Sequence, residues 1–558
     1  MIRSPYSLLR RGLLLFIIII VLLSGLQVKA SRTIEVEKKS YFAKISDAIK
    51  NANDGDTIIV HEGTYEENIV INKRISLIAD GKVTLVGVGT KPVVTIAANK
   101  VKIVGFNITT NGFFSTAIYI ANGCGLSQIY NNILMNAYFG IYSDKTFGND
   151  IINNSITRND FGIMLNYTSE SEFKQNKIEN NKYGIALSGS RKNIIQENNI
   201  TNNQYGIYLF DSQNDTIFNN YLFSNFYGIY LTAFSSNETV KNNFIINSQF
   251  GIFIDTSHFN NVLKNRIESS LYGIDLQNCR YNNVSTNFIR NETVGIQLYA
   301  TMNNSIFNNT VTESTIGIEI DNAYNDTIKE NNFLNISAHA ITTYKTTRVE
   351  IIKNVISSAK NGIVFDSSSS NLIVGNELSN VHVGVYIYNS ELNIIKNMTI
   401  KEISEWYIKS QSGQYNYVEN LMFNSEKLNF SFSGKVAIKS ATVSIVPKGY
   451  TYLNVCIFVN TNQGSSIYIN FSFNKKPNEK VTVLYTTDGK NWEKTSTINL
   501  FENLNIVRVK IENNGTYALF SYNEEVTEGI PLIVMLFLLL FILIVTTFFF
   551  IRKSKNEK

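Results

Sequence analysis

A chain of 558 residues with 17% charged side chains and a formal net charge of +5 carries no concentrated basic stripe, which excludes a nucleic-acid-binding surface. Frequent Asn, only 5 prolines and 44% hydrophobic residues favour long β-structure with polar turns over helices or disorder. The cysteines, Cys124, Cys279 and Cys456, are few, far apart and odd in number, so no disulfide framework is expected.

The chain opens with Arg3, Arg10 and Arg11, an apolar run from Leu13 to Leu23, and small residues ending at Ala30. That pattern predicts a signal peptide over 1–30, with the chain from about Ser31 to Gly529 facing outside. Residues Ile45 to Asn53 place Ile45, Ala48 and Ile49 on one helical face, a short cap for the open end of a β-stack. A repeat follows. Thirteen times, from Ala117-Ile118 through Gly228-Ile229 to Gly384-Val385, Gly or Ala precedes Ile or Val at a spacing of 22 or 23. Such a unit buries its apolar side only by stacking on its copies.

Counted from the Gly, apolar residues at +1 and +3, such as Ile207 and Leu209, alternate inward. Eight residues before each Gly stands an Asn, from Asn132 and Asn154 to Asn332, Asn354 and Asn376. Stacked, these amides form a ladder, and Asn also tolerates the left-handed backbone of a tight turn. A third strand precedes them, as in Thr216-Ile217. The expected architecture is all-β, a parallel β-helix over 31–410 whose repeat spans about 58 Å at the usual strand spacing. Seven aromatics just before the Gly (Phe139, Phe161, Tyr183, Tyr205, Tyr227, Phe250, Tyr272) share the parity of the inward positions. They are expected as interior filling, with a sugar-stacking strip as the other reading.

Beyond Gln411 the period stops, and strand-like runs (Val436 to Val446, Tyr452 to Val459, Ser466 to Phe473, Val481 to Tyr485, Ile506 to Ile511, Thr516 to Phe520) predict a small β-sandwich stalk over 411–525 with Trp492 in its core. Asp488-Gly489 marks a hairpin turn. Pro531 then opens an apolar run from Leu532 to Ile551, long enough for a transmembrane helix over 530–551. Arg552, Lys553 and Lys555 place the tail 552–558 in the cytoplasm, making a single-pass membrane protein with its ectodomain outside. Sequons at Asn107, Asn166, Asn199, Asn237, Asn291, Asn335 and Asn514 are candidate glycosylation sites.

The outward +2 positions in the middle of the repeat read Tyr208, Tyr230, Phe253, Asp275, Gln297 and Glu319, with Asp255 and Asp321 at +4 on the same face. Aromatic faces beside carboxylates suit a sugar, because ring faces stack while acids hydrogen-bond hydroxyls or move protons. Tyr208, Tyr230, Phe253, Gln297 and Asp321 are the candidate carbohydrate-binding residues, and Asp255, Asp275 and Glu319 the candidate catalytic acids. Asp275 and Glu319 lie two coils apart, about 9 to 10 Å, at the upper edge of an inverting pair. A lyase would instead set a cationic base such as Arg280 or Arg290 by a calcium-binding acid cluster. No cofactor is expected otherwise.

The run DAIKNANDGDTIIVHEGTYEENIVINKRISLIADG, residues 47 to 81, resembles the first coils of NosD-type and related right-handed β-helix proteins of the pectin-lyase-like superfamily. The repeat from 117 to 400 resembles their carbohydrate-binding and sugar-hydrolase module. The resemblance implies right-handed winding and, for the NosD branch, an accessory role in copper-site assembly of an exported enzyme. His61, His258, His339 and His382 are isolated and there is no Met-rich run, so metal binding is not expected. The chain also lacks the hydrolase signatures Gly-His-Gly, Asp-Asp and Arg-Ile-Lys. Three readings stand: a membrane-anchored binder of surface or environmental polysaccharide; a structural envelope component in contact with other envelope proteins; and a glycoside hydrolase or polysaccharide lyase.

Overall fold

The computed structural model describes residues 31–37, 41–112, 114–423, 426–474, 479–495, 498–501 and 505–523. The predicted signal peptide and the apolar run from Leu532 to Ile551 lie outside the described residues, and no described helix is long and apolar enough to cross a membrane.

The cap forms where the amphipathic pattern places it, as a helix over Ile45–Asn51 with Ile45, Ala48 and Ile49 buried. Its free N-terminal donors are satisfied from the second coil, where the Glu67 carboxylate accepts from the backbone N–H groups of Ile45 (2.9 Å) and Ser46 (3.1 Å). At the other end Lys73 Nζ donates to the carbonyls of Ile49, Lys50 and Ala52.

The repeat winds as a parallel solenoid. One coil comprises strands Tyr205–Phe210, Thr216–Phe218 and Tyr221–Phe223, and each pairs in register with its copy in the next coil, as Ile207 with Ile229 and Ile217 with Val240. The +1 and +3 side chains fill one continuous apolar core.

The Asn ladder forms with two changes from the sequence reading. The amide Oδ1 of each Asn accepts from both the backbone N–H and the Nδ2 of the Asn one coil earlier, as Asn220 does from Asn198 at 3.0 and 2.9 Å. Each Nδ2 also donates to a strand carbonyl, Asn198 to Phe173 at 2.9 Å. In the coil of Ala340 the ladder residue is Asn331, which bonds Asn309 and Asn354, while the expected Asn332 is exposed. That coil is one residue longer, and adjacent asparagines let the count slip. The left-handed backbone belongs to the preceding residue, as at Asn131, Asn153 and Asn219, and not to the ladder Asn. Turn conformation and buried amide are thus divided between neighbours.

A second internal ladder was not expected. It runs through Ser127, Asn149, Ser171, Asn193, Asp215, Glu238, Asn260, Asn282, Asn304 and Asp326. Here acids stand among amides and are fully buried.

The aromatic file before each Gly is corrected by the structure. Phe161 pairs with Tyr183 and Ile163 with Ile185, and the glycines between them are skipped by the pairing. A Cβ on Gly184 would lie 2.5 Å from the carbonyl oxygen of Gly206, so only the smallest residues allow the coils to close there. This kink shifts the alternation by one. The residue before Gly therefore points outward and is half-buried, beside the +2 residue.

Late in the rod the strands lengthen to Asn332–Tyr344, Val355–Asp366, Glu377–Glu391 and Thr399–Gln414, bending across corners that earlier coils interrupt. Parallel pairing continues past residue 410, with Ile394 to Lys396 against Tyr417 to Glu419. Antiparallel pairing then takes over. Asn416–Phe423, Glu426–Ser433, Ser466–Ser472, Ile506–Ile511 and Ile498–Phe501 form one succession of neighbours. Thr399–Gln414, Val436–Ser440, Tyr450–Thr461, Gly515–Asn523 and Glu479–Thr486 form another. Their inner residues, Phe430, Ile457, Ile469 and Val507 among them, extend the core of the rod. Trp492 is buried there with its ring 6.0 Å from Phe520, as expected of a core residue. Asp488 stabilises its turn by accepting from the N–H groups of Lys490 and Asn491.

Candidate functional site

Three outward files run along one face of the rod. Before the Gly stand Phe161, Tyr183, Tyr205, Tyr227, Phe250 and Tyr272, whose rings succeed one another at 4.5 to 5.2 Å with interplanar angles of 3° to 14°. Parallel six-membered rings cannot lie side by side in one plane at that separation, so they overlap face on face and present their edges and hydroxyls outward. At +2, Tyr208, Tyr230 and Phe253 are tilted, with Tyr208 and Tyr230 at 64° and 5.4 Å and Tyr230 and Phe253 at 35° and 4.8 Å. The two files touch each other, Tyr227 lying 5.1 Å from Tyr230.

Register carries the aromatic files directly into polar ones. Phe253 pairs with Asp275, Asp275 with Gln297 and Gln297 with Glu319, while Asp255 pairs with Gln277 and Tyr299 with Asp321 in the +4 file. All eight residues singled out from the sequence therefore share one face. Asp255, Gln297, Glu319 and Asp321 are half-exposed, whereas Phe253 is only 9% exposed and Asp275 is fully buried.

Burial pushes the Asp275 carboxyl up to about 7, with Asp255 and Glu319 adding repulsion and a 3.0 Å hydrogen bond from Gln277 opposing it. Its other oxygen has no partner. A carboxyl that keeps its proton near neutrality is the right kind of group for a general acid, but this one is closed off from anything on the surface. Burial likewise raises Glu319, helped by Asp321, and raises Asp321, opposed by Lys345. The Gln297 amide reaches Glu319 at 3.4 Å, and Asp255 accepts from Thr256 and Asn278. Burial first and neighbouring phenols second push Tyr208 up to about 12. The face is thus an array of hydroxyls and amides with half-exposed acids at one end and one acid, Asp275, closed off beneath them.

Among the sequons, Asn199, Asn237, Asn291, Asn335 and Asn514 are exposed, and Asn107 and Asn166 half-exposed, the Asn166 amide donating to Asp144 at 2.8 Å.

Residues 92–245 match the model of a right-handed β-helix region, and residues 224–382 that of the periplasmic copper-binding protein NosD. Over these residues the chain is similar to right-handed β-helix proteins and to NosD. A cell surface glycoprotein of Methanothermus fervidus is 35% identical over 129 residues, 23% of this chain and 21% of that protein, so the chain matches about a fifth of the length of that relative. Two solved structures are loosely similar. The Dettilon tailspike protein is 11% identical with a TM-score of 0.32, covering 86% of this chain and 89% of its own. DFA-IIIase from Arthrobacter chlorophenolicus A6, in complex with DFA-III, is 12% identical with a TM-score of 0.35, covering 55% and 95%.

Three of the histidines have other partners. His258 Nδ1 lies 3.3 Å from the backbone N–H of Arg280, and His339 Nδ1 meets the Asn361 amide at 2.9 Å. His61 is held between Glu35 and Asp80 at 2.7 and 2.9 Å. Among the described residues no group of three or more His, Cys, Asp or Glu side chains is placed to hold a metal ion.

Proposed function

We propose that this is an exported surface protein, anchored by its C-terminal apolar run, whose rod binds polysaccharide along the face from Tyr208 to Glu319 without cleaving it. The antiparallel sheets, read as a β-sandwich stalk, would hold the rod away from the membrane. The observation that carries this reading is the doubled aromatic file ending in Asp255, Gln297, Glu319 and Asp321 on one face. Exposed sequons and the surface-glycoprotein relative support an outside location. Closure of Asp275 favours binding over hydrolysis, since a catalytic acid must touch the glycosidic oxygen.

Retention of the protein on immobilised polysaccharides tests this. Tyr208→Ala and Tyr230→Ala are expected to lower retention at least tenfold, and Tyr230→Phe to lower it less. Unchanged retention in both alanine variants, with circular dichroism confirming the fold, would remove the reading. The self-stacking of the rings supports a second one, an envelope spacer. Deleting the whole coil 183–204 would then leave function intact, because register and caps survive.

A further inference from the structure

A second candidate site stands apart from this face, at the start of the aromatic file. Ten residues separate Phe106 from Thr116, where seven separate the equivalent Asn132 from Phe139, so the early coil carries a three-residue insertion. Insertions in a solenoid project from one corner and commonly build its binding edge. This one displays Phe114, 72% exposed and with φ of 59°, a backbone that a bulky residue adopts only at a cost. The insertion is pinned at its base. A Cβ on Gly112 would lie 1.9 Å from the carbonyl oxygen of Gly89, the Gly112 N–H donates to Thr110 Oγ1 at 3.1 Å, and Ser115 Oγ donates to the Gly112 carbonyl at 2.9 Å.

Phe114 meets Tyr138 edge-on at 5.2 Å, and below them opens a groove of about 600 Å³ lined by Tyr138, Arg158, Asp160, Asn180 and Lys182. Neighbouring cations are engaged elsewhere, Lys174 with Glu197, Lys177 with Glu179 and Lys192 with Glu170. Arg158 and Lys182, both exposed, have no carboxylate partner among the described residues. Two cations without a carboxylate partner, Lys182 over the Tyr183 ring at 5.7 Å, with amides and a ring held clear of the surface, are the parts that recognise a charged sugar. The ring takes the apolar face, the amides the hydroxyls, and the guanidinium and ammonium the acid group.

We infer that this groove is a binding site for an anionic sugar residue, one bearing a carboxylate or a sulfate. Asp160 sets a limit on affinity, since it places one like charge beside the bound anion. The inference stands independently of the Tyr208 to Glu319 face.

The test is calorimetric titration of the full chain with three oligosaccharides of equal length: hexagalacturonate, sulfated maltohexaose and neutral maltohexaose. At least one anion is expected to bind tenfold or more tightly than the neutral hexamer, and whichever does identifies carboxylate or sulfate as the group. Added salt is expected to weaken that binding. Arg158→Gln with Lys182→Gln should reduce it at least tenfold, Phe114→Ala should weaken it, and Asp160→Asn should strengthen it severalfold. Lys192→Gln, which removes a cation paired with Glu170 outside both sites, should leave it unchanged, which separates loss of this groove from a general loss of positive charge. Equal binding of neutral and anionic hexamers, no binding of any hexamer, or an unaffected Arg158→Gln/Lys182→Gln variant would overturn the inference.

Discussion

The two long internal ladders do the same mechanical work with different chemistry. From Asn132 to Asn376 every rung is Asn, and each Oδ1 is met by donors from the coil before it. The ladder from Ser127 to Asp326 substitutes acids at Asp215, Glu238 and Asp326. There Asn193 donates to Asp215 Oδ1 and the Asp215 N–H to Glu238 Oε2, both at 2.7 Å, but Asp215 Oδ2 and Glu238 Oε1 have no partner. Burial first, and for Glu238 the adjacent Asp215 second, push these two carboxyls far above the usual range. An amide ladder is indifferent to pH, whereas each acid rung that loses its proton puts a charge into the buried interior.

The largest effect is expected from breaking the uniform ladder. Asn198→Ala removes the acceptor of the Asn176 N–H and Nδ2 (both 2.9 Å) and the donor to Phe173, leaving several buried groups unsatisfied. A loss of about 3 kcal/mol or more is expected in denaturant unfolding.

The next effect sharpens the contrast through pH. Unfolded carboxyls release their protons near pH 4, while folded Asp215 and Glu238 hold theirs to higher pH, so stability falls as pH rises from about 4 into the neutral range and above. Glu292, raised by burial to about 8 in a third file below Ser270, acts in the same direction. Wild-type melting temperature should therefore decline over that window, and Asp215→Asn with Glu238→Gln should flatten the decline. A flat wild-type profile would contradict the protonated ladder.

Asp326 is expected to matter less. Both of its oxygens have partners, Thr301 at 2.6 Å on one and Asn304 at 2.6 and 3.0 Å on the other, and its carboxyl is raised by burial only to about 6. Asp326→Asn should change stability at pH 8 by about 1 kcal/mol or less. Of similar size, Ser190→Ala in a buried file of hydroxyls removes the acceptor of the Thr168 N–H and a donor to the Ser188 carbonyl, and should cost about 1 kcal/mol in the same unfolding assay.

Much of this architecture was legible in the sequence because the repeat writes the same residue at the same position. The Gly-Ile pairs, the Asn ladder and the cap helix follow from spacing and parity alone. What spacing misses is a change of parity within a strand. The kink at each Gly moved Phe161 to Tyr272 from the interior to the outer face, and only the close approach of stacked backbones, 2.5 Å at Gly184, makes that evident. Asp215 and Glu238 look like ordinary polar turn residues until the coil closes over them. Asp275 was placed on the correct face, yet its closure depends on neighbours such as Gln277 and Phe253 that no periodicity reports. The groove at Phe114 left one sequence trace, the broken period between Phe106 and Thr116.

The central claim, that the outer face holds glycan and leaves it intact, is tested most directly by incubating the full chain on a polysaccharide array and reading retention and released reducing ends in the same wells. Retention without release is the expected result, with retention lost in Tyr230→Ala. Release of reducing ends that disappears in Asp275→Asn or Glu319→Gln would contradict it and make the buried acid a catalyst.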